Sequence, residues 1–213
     1  MGSELAEILD AVAVGRFPSP DGGTTVVPQP SARDAGVIAF TAHSVVFTDE
    51  DPCWVRATLA ALDCDRLAAT MHPHFLGALL ERTGRSMDTI DLLTVASPLA
   101  GAPPLQLTEL TDAAHPRVAR AHQHRDDVRV WVAVGGVVIL GRGVAGRWEA
   151  AIEVDEGRRE AGLGRALARA ARHLVPTGQP VWAQQAAGNA RSVRAFQAAG
   201  FRPVGAEARL FER

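Results

Sequence analysis

Residues 158–174 read RREAGLGRALARAARHL, and the two glycines inside this stretch, Gly162 and Gly164, decide how the chain is understood. Glycine costs a helix up to about 1 kcal/mol relative to alanine, so two of them at the mouth of a helical pattern need a backbone reason. Around and after them, apolar residues fall at Leu163, Ala166, Leu167, Ala170, Ala171 and Leu174, the stripe of a helix packed by one face on a sheet. The N-terminus of such a helix presents unpaired N–H groups and the positive end of the macrodipole, and no side chain at 162 or 164 blocks close approach. With Arg158, Arg159 and Arg165 beside it, the stretch predicts an anion site whose natural ligand is a diphosphate.

Two familiar diphosphate loops fit poorly. A dinucleotide-binding G-x-G-x-x-G needs a third glycine at 167, where Leu167 stands, and a parallel βαβ unit, whereas a hairpin pattern precedes here. A P-loop needs Gly-Lys-Ser/Thr, and the chain contains no lysine.

Working outward, the segments from 105 onward give β-α-β-β-β-α-β-α-β. LQLTEL is a short strand, HPRVARAHQH a short helix after Asp112, and DVRVWVAV an alternating strand. Gly135-Gly136 signals a tight hairpin into VVILGRG, and RWEAAIEV, PVWAQQA, ARSVRAFQAAG and FRPVGAEARLF complete the series around the glycine helix. Before 105, ELAEILDAVAVGRF is helical, SPDGGTTVVPQPSARDAG is loop-rich around a short strand, and VIAFTAHSVVFTD alternates as one strand or a bent pair. PCWVRATLAALD and HPHFLGALLERTGR are helices, the second closed by Gly84, and TIDLLTVASPL is a strand. SPLAGAPP gathers Pro, Gly and small residues and predicts a linker near 100–104, dividing the chain into regions 1–104 and 105–213.

Composition limits the function. The 213 residues, 47% hydrophobic and 22% charged, suffice for one good core or two small ones. No apolar run spans a bilayer, the N-terminal segment lacks a basic leader pattern, and Cys53 and Cys64 have no metal-like spacing, so a cytoplasmic chain with reduced thiols and no membrane partner is expected. The net charge of −2 hides an asymmetry: residues 1–104 carry 6 Arg against 13 acids, and residues 105–213 carry 16 Arg against 11. Overall acidity and the lack of a nucleic-acid motif argue against nucleic acid, with Arg169 and Arg172 on a solvated helix face. The four tryptophans are scattered singly and read as core.

Val154, Arg159, Gly162, Gly164 and Leu167 make up V-x-x-x-x-R-x-x-G-x-G-x-x-L, which resembles the acyl-CoA pyrophosphate loop of the GNAT superfamily of N-acetyltransferases. Asn189, Ser192, Phe196, Gly200 and Phe201 resemble that family's N-x-x-A/S-x-x-x-Y/F-x-x-x-G-F signature, one strand downstream and in the right order. The resemblance covers about 105–213. It implies an α/β GNAT-like acyltransferase fold with a mixed, mostly antiparallel sheet. Residues 1–104 match nothing in the resemblance and read as an N-terminal α/β extension, whose excess of acids against the basic second half predicts docking as part of the acceptor cleft. The resemblance implies acetyl-CoA as acyl donor, a small-molecule or peptide amine as acceptor, and direct transfer to a primary amine in a ternary complex; it allows a homodimer. The alternative is a non-catalytic acyl-CoA-binding or regulatory protein.

Carried onto this chain, the resemblance has AAIEV splay from PVWAQQA, so that backbone at Ile152 and Val154 pairs with the pantetheine arm. Backbone N–H groups from Arg159 through Ala161, Gly162, Leu163 and Gly164 would hold the pyrophosphate, with Arg165 nearby, and Asn189, Ser192 and Phe196 would face the cofactor. Asn189 is also a helix N-cap, and Gly200 suits a helix C-terminus. Many relatives have Tyr at the position of Phe196, where it protonates the leaving thiolate; phenylalanine has no proton to give, and the chain has no tyrosine. Glu149 and Glu153 are the candidate bases, four apart and so on one face of a strand. His122 and His124 could line the acceptor side. His72 and His74 lack further ligands at useful spacing, so helix capping around Pro73 is the better reading and no metal is expected.

Overall fold

The computed structural model describes residues 2–111, 116–122, 125–159 and 162–212. In chain order the elements begin α1 (Glu4–Ala13), β1 (Gly23–Val27), β2 (Ala35–Phe40), β3 (His43–Phe47), α2 (Pro52–Ala60), α3 (Pro73–Thr83) and β4 (Ile90–Ala96). They continue β5 (Thr108–Leu110), α4 (Pro116–His122), β6 (Asp126–Ala133), β7 (Gly136–Arg142), β8 (Trp148–Val154), α5 (Leu163–Leu174), β9 (Val181–Ala186), α6 (Ala190–Ala198) and β10 (Arg202–Leu210). The protein is α/β, with the β-α-β-β-β-α-β-α-β order expected after residue 105.

Two compact units divide the chain, Met1–Leu92 together with Val204–Arg213, and Leu93–Pro203. The expected boundary near 100–104 thus lies inside the second unit, and the closing strand of the expected 105–213 domain belongs to the first. The reason is pairing: β10 runs antiparallel to β2, from Ala206 opposite Ala39 to Leu210 opposite Ala35. Local composition marks a loop at 100–104, but it carries no information on which distant strand a segment joins.

In the first unit the strand order is β1-β3-β2-β10, with β1 parallel to β3. The alternating stretch 37–49 resolves into two strands, β2 and β3, antiparallel with Phe40 opposite His43. Ala42 in the turn between them takes the left-handed conformation at φ 55°. The helices start as their sequences predict. Ser3 caps α1, Asp51 caps α2 with Pro52 following, and the His72 ring accepts a hydrogen bond from the His74 N–H at 3.2 Å. Phe75, Leu76 and Leu79 of α3 bury against Val37 and Val46 of the sheet.

In the second unit the order is β4-β9-β8-β7-β6-β5. β5 to β8 form an antiparallel meander, and β8 then pairs in parallel with β9. The sheet is mixed and mostly antiparallel. The β6–β7 turn is Val134-Gly135, with Gly135 at φ 87°, while Gly136 is already the first strand residue, opposite Ala133. Gly136 answers to packing, since a Cβ there would come 2.6 Å from Leu167 Cδ1 and 2.8 Å from the Glu153 carbonyl oxygen. One face of this sheet buries α5 through Leu167, Ala170 and Ala171 against Val138, Leu140 and Ala150. The other buries Val118 and Ala121 of α4 against Val130, Val137 and Ile139.

Candidate functional site

The site begins with a fork between two strands. β8 pairs with β7 along its whole length, from Trp148 opposite Arg142 to Val154 opposite Gly136. With β9 it pairs only at Trp148–Val181 and Glu149–Trp182. From Ala150 onward the two parallel strands diverge, and β8 turns toward the gap an edge that can accept an extended ligand as a further strand. Alternation sends Ala150, Ile152 and Val154 to the α5 face and Glu149, Ala151 and Glu153 to the α4 face. The packing agrees: Ala150 sits in the core with α5, and Ala151 packs against the cluster containing Val118 and Ala121.

On the α5 face the fork opens into a cleft of about 690 Å³, lined by residues of β8, of the mouth of α5 and of one side of α6. Gly162 is the residue before α5, in the left-handed conformation at φ 78°, and offers no side-chain cap to the helix. Among the described residues, no side chain caps the first N–H groups of α5. α6 differs: the Asn189 Oδ1 accepts a hydrogen bond from the Ser192 N–H at 3.1 Å, so that end is capped by the chain itself. Gly164 marks where room has been left. A Cβ there would lie 3.6 Å from Ala195 Cβ, 3.6 Å from Val154 Cγ2 and 3.8 Å from Ile152 Cδ1, ordinary contact distances with side chains of the cleft floor.

Most cofactor-site residues expected from the sequence meet here: Ile152, Val154, Arg159, Gly162, Gly164, Arg165, Asn189 and Ser192 all line the cleft. Three do not. Leu163 packs against the core, and Phe196 is 3% exposed within it, its ring edge-on to Phe201 with centroids 4.9 Å apart. Phe196 points down into the sheet because a helix lying on a sheet buries the residues of one stripe, and Phe196 belongs to that stripe. Ala161 lies outside the described residues, as does His124. Arg158 is not among the lining residues, and its stem lies against Gly135 in the β6–β7 turn. Arg191, Arg194, Ala195 and Ala198 complete the lining. Their i, i+3, i+4, i+7 spacing on α6 was visible in the sequence, but nothing local said that this stripe faces a cavity.

The two candidate bases have different surroundings. Glu149 is fully buried at the apex of the fork, and its Oε1 accepts hydrogen bonds from Arg147 Nε at 2.9 Å, Gln184 Nε2 at 2.9 Å and the Val144 N–H at 3.3 Å. Its Oε2 accepts from Arg125 Nε at 3.2 Å. A Cβ at Gly143 would overlap this carboxylate, so the glycine is there to make room for it. Glu153 is exposed near the open end of the fork, on the same face. His122 is exposed at the end of α4, and His72 is a helix cap in the other unit. Among the described residues, no three His, Cys, Asp or Glu side chains are grouped to hold a metal, and no helix is long and apolar enough to cross a membrane.

Solved structures are similar to the chain. It resembles the GNAT acetyltransferases. A GCN5-related N-acetyltransferase from Kribbella flavida is 14% identical, with 100% of this chain and 95% of that one covered at a TM-score of 0.46. An acetyltransferase from the GNAT family from Colwellia psychrerythraea is 9% identical, with 84% and 81% covered at a TM-score of 0.44. A tandem GNAT protein from the clavulanic acid biosynthesis pathway is 16% identical, with 63% and 57% covered at a TM-score of 0.38. No protein-family model matches the chain, and the search of curated proteins found no match.

Proposed function

We propose that the second unit binds acetyl-CoA and passes its acetyl group to a primary amine, carried by a small molecule or a peptide. The observation that carries this reading is the meeting, in one cleft, of the unpaired edge of β8, the uncapped glycine mouth of α5 and the Asn189–Ser192 turn of α6. An extended amide chain ending in a diphosphate fits that sequence of features: strand edge for the amides, helix N-terminus for the phosphates. The space above Gly164 is a cradle that a Cβ would begin to fill, and among the described residues the lining carries guanidinium groups and no carboxylate.

Bound there, acetyl-CoA supplies an acetyl group activated as a thioester. The amine approaches from the α4 face through the gap between β8 and β9, its nitrogen forms a bond to the carbonyl carbon, and the carbon–sulfur bond breaks. Backbone N–H groups of β8 beyond Glu149 polarise the carbonyl oxygen. Glu153, exposed beside the gap, takes the proton that the amine must lose, directly or through water. The thiolate takes its proton from solvent, because Phe196 is a core residue without a proton to donate. Glu149 holds the apex of the fork, with its lone pairs already engaged.

A second reading, a non-catalytic acyl-CoA-binding protein, draws on the same two facts: Glu149 is consumed by its partners and position 196 has no acid. The test is release of CoA thiol from acetyl-CoA across a panel of primary amines. Amine-dependent release above the hydrolytic background supports transfer. Tight acetyl-CoA binding with no acceptor-dependent release across aliphatic, aromatic and peptide amines supports the second reading.

A further inference from the structure

In the first unit two turns lie side by side at one end of the sheet. The Gly22 N–H donates to the Ala42 carbonyl at 2.8 Å, tying the turn before β1 to the turn between β2 and β3. Ala42 holds its left-handed conformation at φ 55° against the steric cost of its Cβ, so this junction is a strained one. It brings together a carboxylate, an imidazole and a hydroxyl. His43 Nδ1 lies 2.8 Å from Asp21 Oδ1, and His43 Nε2 lies 2.9 Å from Thr25 Oγ1. The ionised Asp21 carboxylate only accepts, so Nδ1 carries a proton, and the neutral ring then accepts at Nε2 from the Thr25 hydroxyl. One tautomer satisfies the whole chain of bonds. Asp21 Oδ1 also accepts from the Gly23 N–H at 2.7 Å, and a Cβ at Gly23 would stand 2.7 Å from the same oxygen. The glycine makes room for the carboxylate and its backbone fixes it, while the His43 and Gly23 hydrogen bonds hold the Asp21 carboxyl below the usual carboxylate range.

We infer that Asp21, His43 and Thr25 form a second reactive site, in which the Thr25 hydroxyl attacks esters of apolar acids and the chain hydrolyses them. This stands independently of the acetyl-CoA reading. A hydroxyl becomes a nucleophile when an adjacent base takes its proton and a third group orients that base, and the three residues fill these roles in order. Thr25 Oγ1 forms a bond to the ester carbonyl carbon as its proton passes to His43 Nε2. The bond to the leaving alkoxide breaks, and His43 gives the proton to it, releasing the alcohol. Water then attacks the acyl-threonine, its proton passes by way of His43 to Thr25 Oγ1, and the acid is released. β1 ends the strand order of its sheet and, among the described residues, pairs with β3 alone, so its outer N–H groups have no strand partner and supply donors for the carbonyl oxygen. The surroundings are open and apolar. Thr25 and His43 are half-buried and Asp21 is exposed. Leu67, 55% exposed, lies 4.0 Å from where a Cβ of Gly22 would stand. Phe17, 43% exposed, packs edge-on to Phe40, the register partner of His43.

The experiment follows para-nitrophenolate release from para-nitrophenyl butyrate by the full chain, and maps the butyryl adduct by mass spectrometry after acid quenching. Thr25→Val, Thr25→Ser, His43→Gln and Asp21→Asn are compared with wild type, with far-ultraviolet circular dichroism as the check of folding. The wild-type chain is expected to release para-nitrophenolate faster than buffer does and to carry the adduct on the peptide containing Thr25. Thr25→Val and His43→Gln are expected to lower the rate about a hundredfold or more, and Asp21→Asn about tenfold or more. Thr25→Ser keeps the hydroxyl and is expected to release within about tenfold of wild type; together with the wild-type adduct it decides the matter should Thr25→Val fail to fold. Release that a folded Thr25→Val leaves unchanged, or an adduct on another residue, would overturn the site. No release above the buffer rate by the wild-type chain would overturn it as well, and leaves the acetyl-CoA reading standing.

Discussion

Gly164 and Val154 face each other across the floor of the cleft, with only 3.6 Å between the Val154 Cγ2 and the point where a Cβ of residue 164 would stand. The contact is one that protein side chains make routinely, so an alanine here fits the fold. Its methyl group would stand on the cleft floor in the first turn of α5, narrowing the space a diphosphate would use. Gly164→Ala should therefore unfold at a temperature within a few degrees of wild type yet bind acetyl-CoA about tenfold or more weakly. Unchanged affinity in the folded variant would show that the phosphates lie elsewhere. Gly162 is a poorer probe, because at φ 78° any other residue would strain the backbone whatever it did to the ligand.

Glu149 is expected to matter for the fold before it matters for chemistry. Its carboxylate faces Arg147, whose side chain is 3% exposed, and Arg125, at 15%. Glu149→Gln leaves these guanidiniums without their counter-charge in a site closed to water, and removing one member of a buried pair costs about 3–5 kcal/mol. Urea denaturation should show a loss of that order. If the variant instead keeps full stability and loses only kcat, the carboxylate is a base rather than a brace.

Phe196→Tyr places a hydroxyl among Phe201 and other core side chains. A buried hydroxyl without a partner costs about 1–3 kcal/mol, so thermal denaturation should show destabilisation and turnover should not rise. Higher turnover at unchanged stability would mean that this position does face the reacting sulfur.

The part of this site that the sequence made legible is the part governed by local rules. Gly162, Gly164 and Asn189 announce a helix mouth and a helix cap, and periodicity placed α5 and α6 on their sheet. The fork required β8 and β9 to be neighbours, which the resemblance supplied and periodicity alone does not. What escaped depends on partners distant in sequence. Gln184 and Arg125 reach Glu149 from 35 and 24 residues away, turning a candidate base into a buried network. β10 crosses to β2 over more than 160 residues, which is why the unit boundary falls at Leu92 and Val204 rather than near 104. The inward turn of Phe196 follows from which stripe of α6 meets the sheet, and the matching motif could not specify that.

In the first unit, burial, reinforced by the neighbouring Glu207 carboxylate, pushes the Asp91 carboxyl up to about 6, against the opposing pull of Arg209. A carboxyl that ionises later in the folded chain than in the unfolded one favours folding at low pH. Its contribution declines as pH rises from about 4 to about 6 and is constant above that. Asp91→Asn should flatten this decline, giving a higher Tm than wild type at pH 7.5 and converging with it near pH 4 in thermal scans. Parallel Tm-against-pH curves for the two proteins would refute the assignment.

The central claim is that this cleft is built for acyl-CoA, and equilibrium titration of acetyl-CoA into the full chain, with ATP and NAD as comparators, tests it most directly. The account predicts saturable one-to-one binding of acetyl-CoA, weakened in Gly164→Ala, and no comparable binding of ATP or NAD. Absence of acetyl-CoA binding, or equal binding of the three ligands, would contradict it.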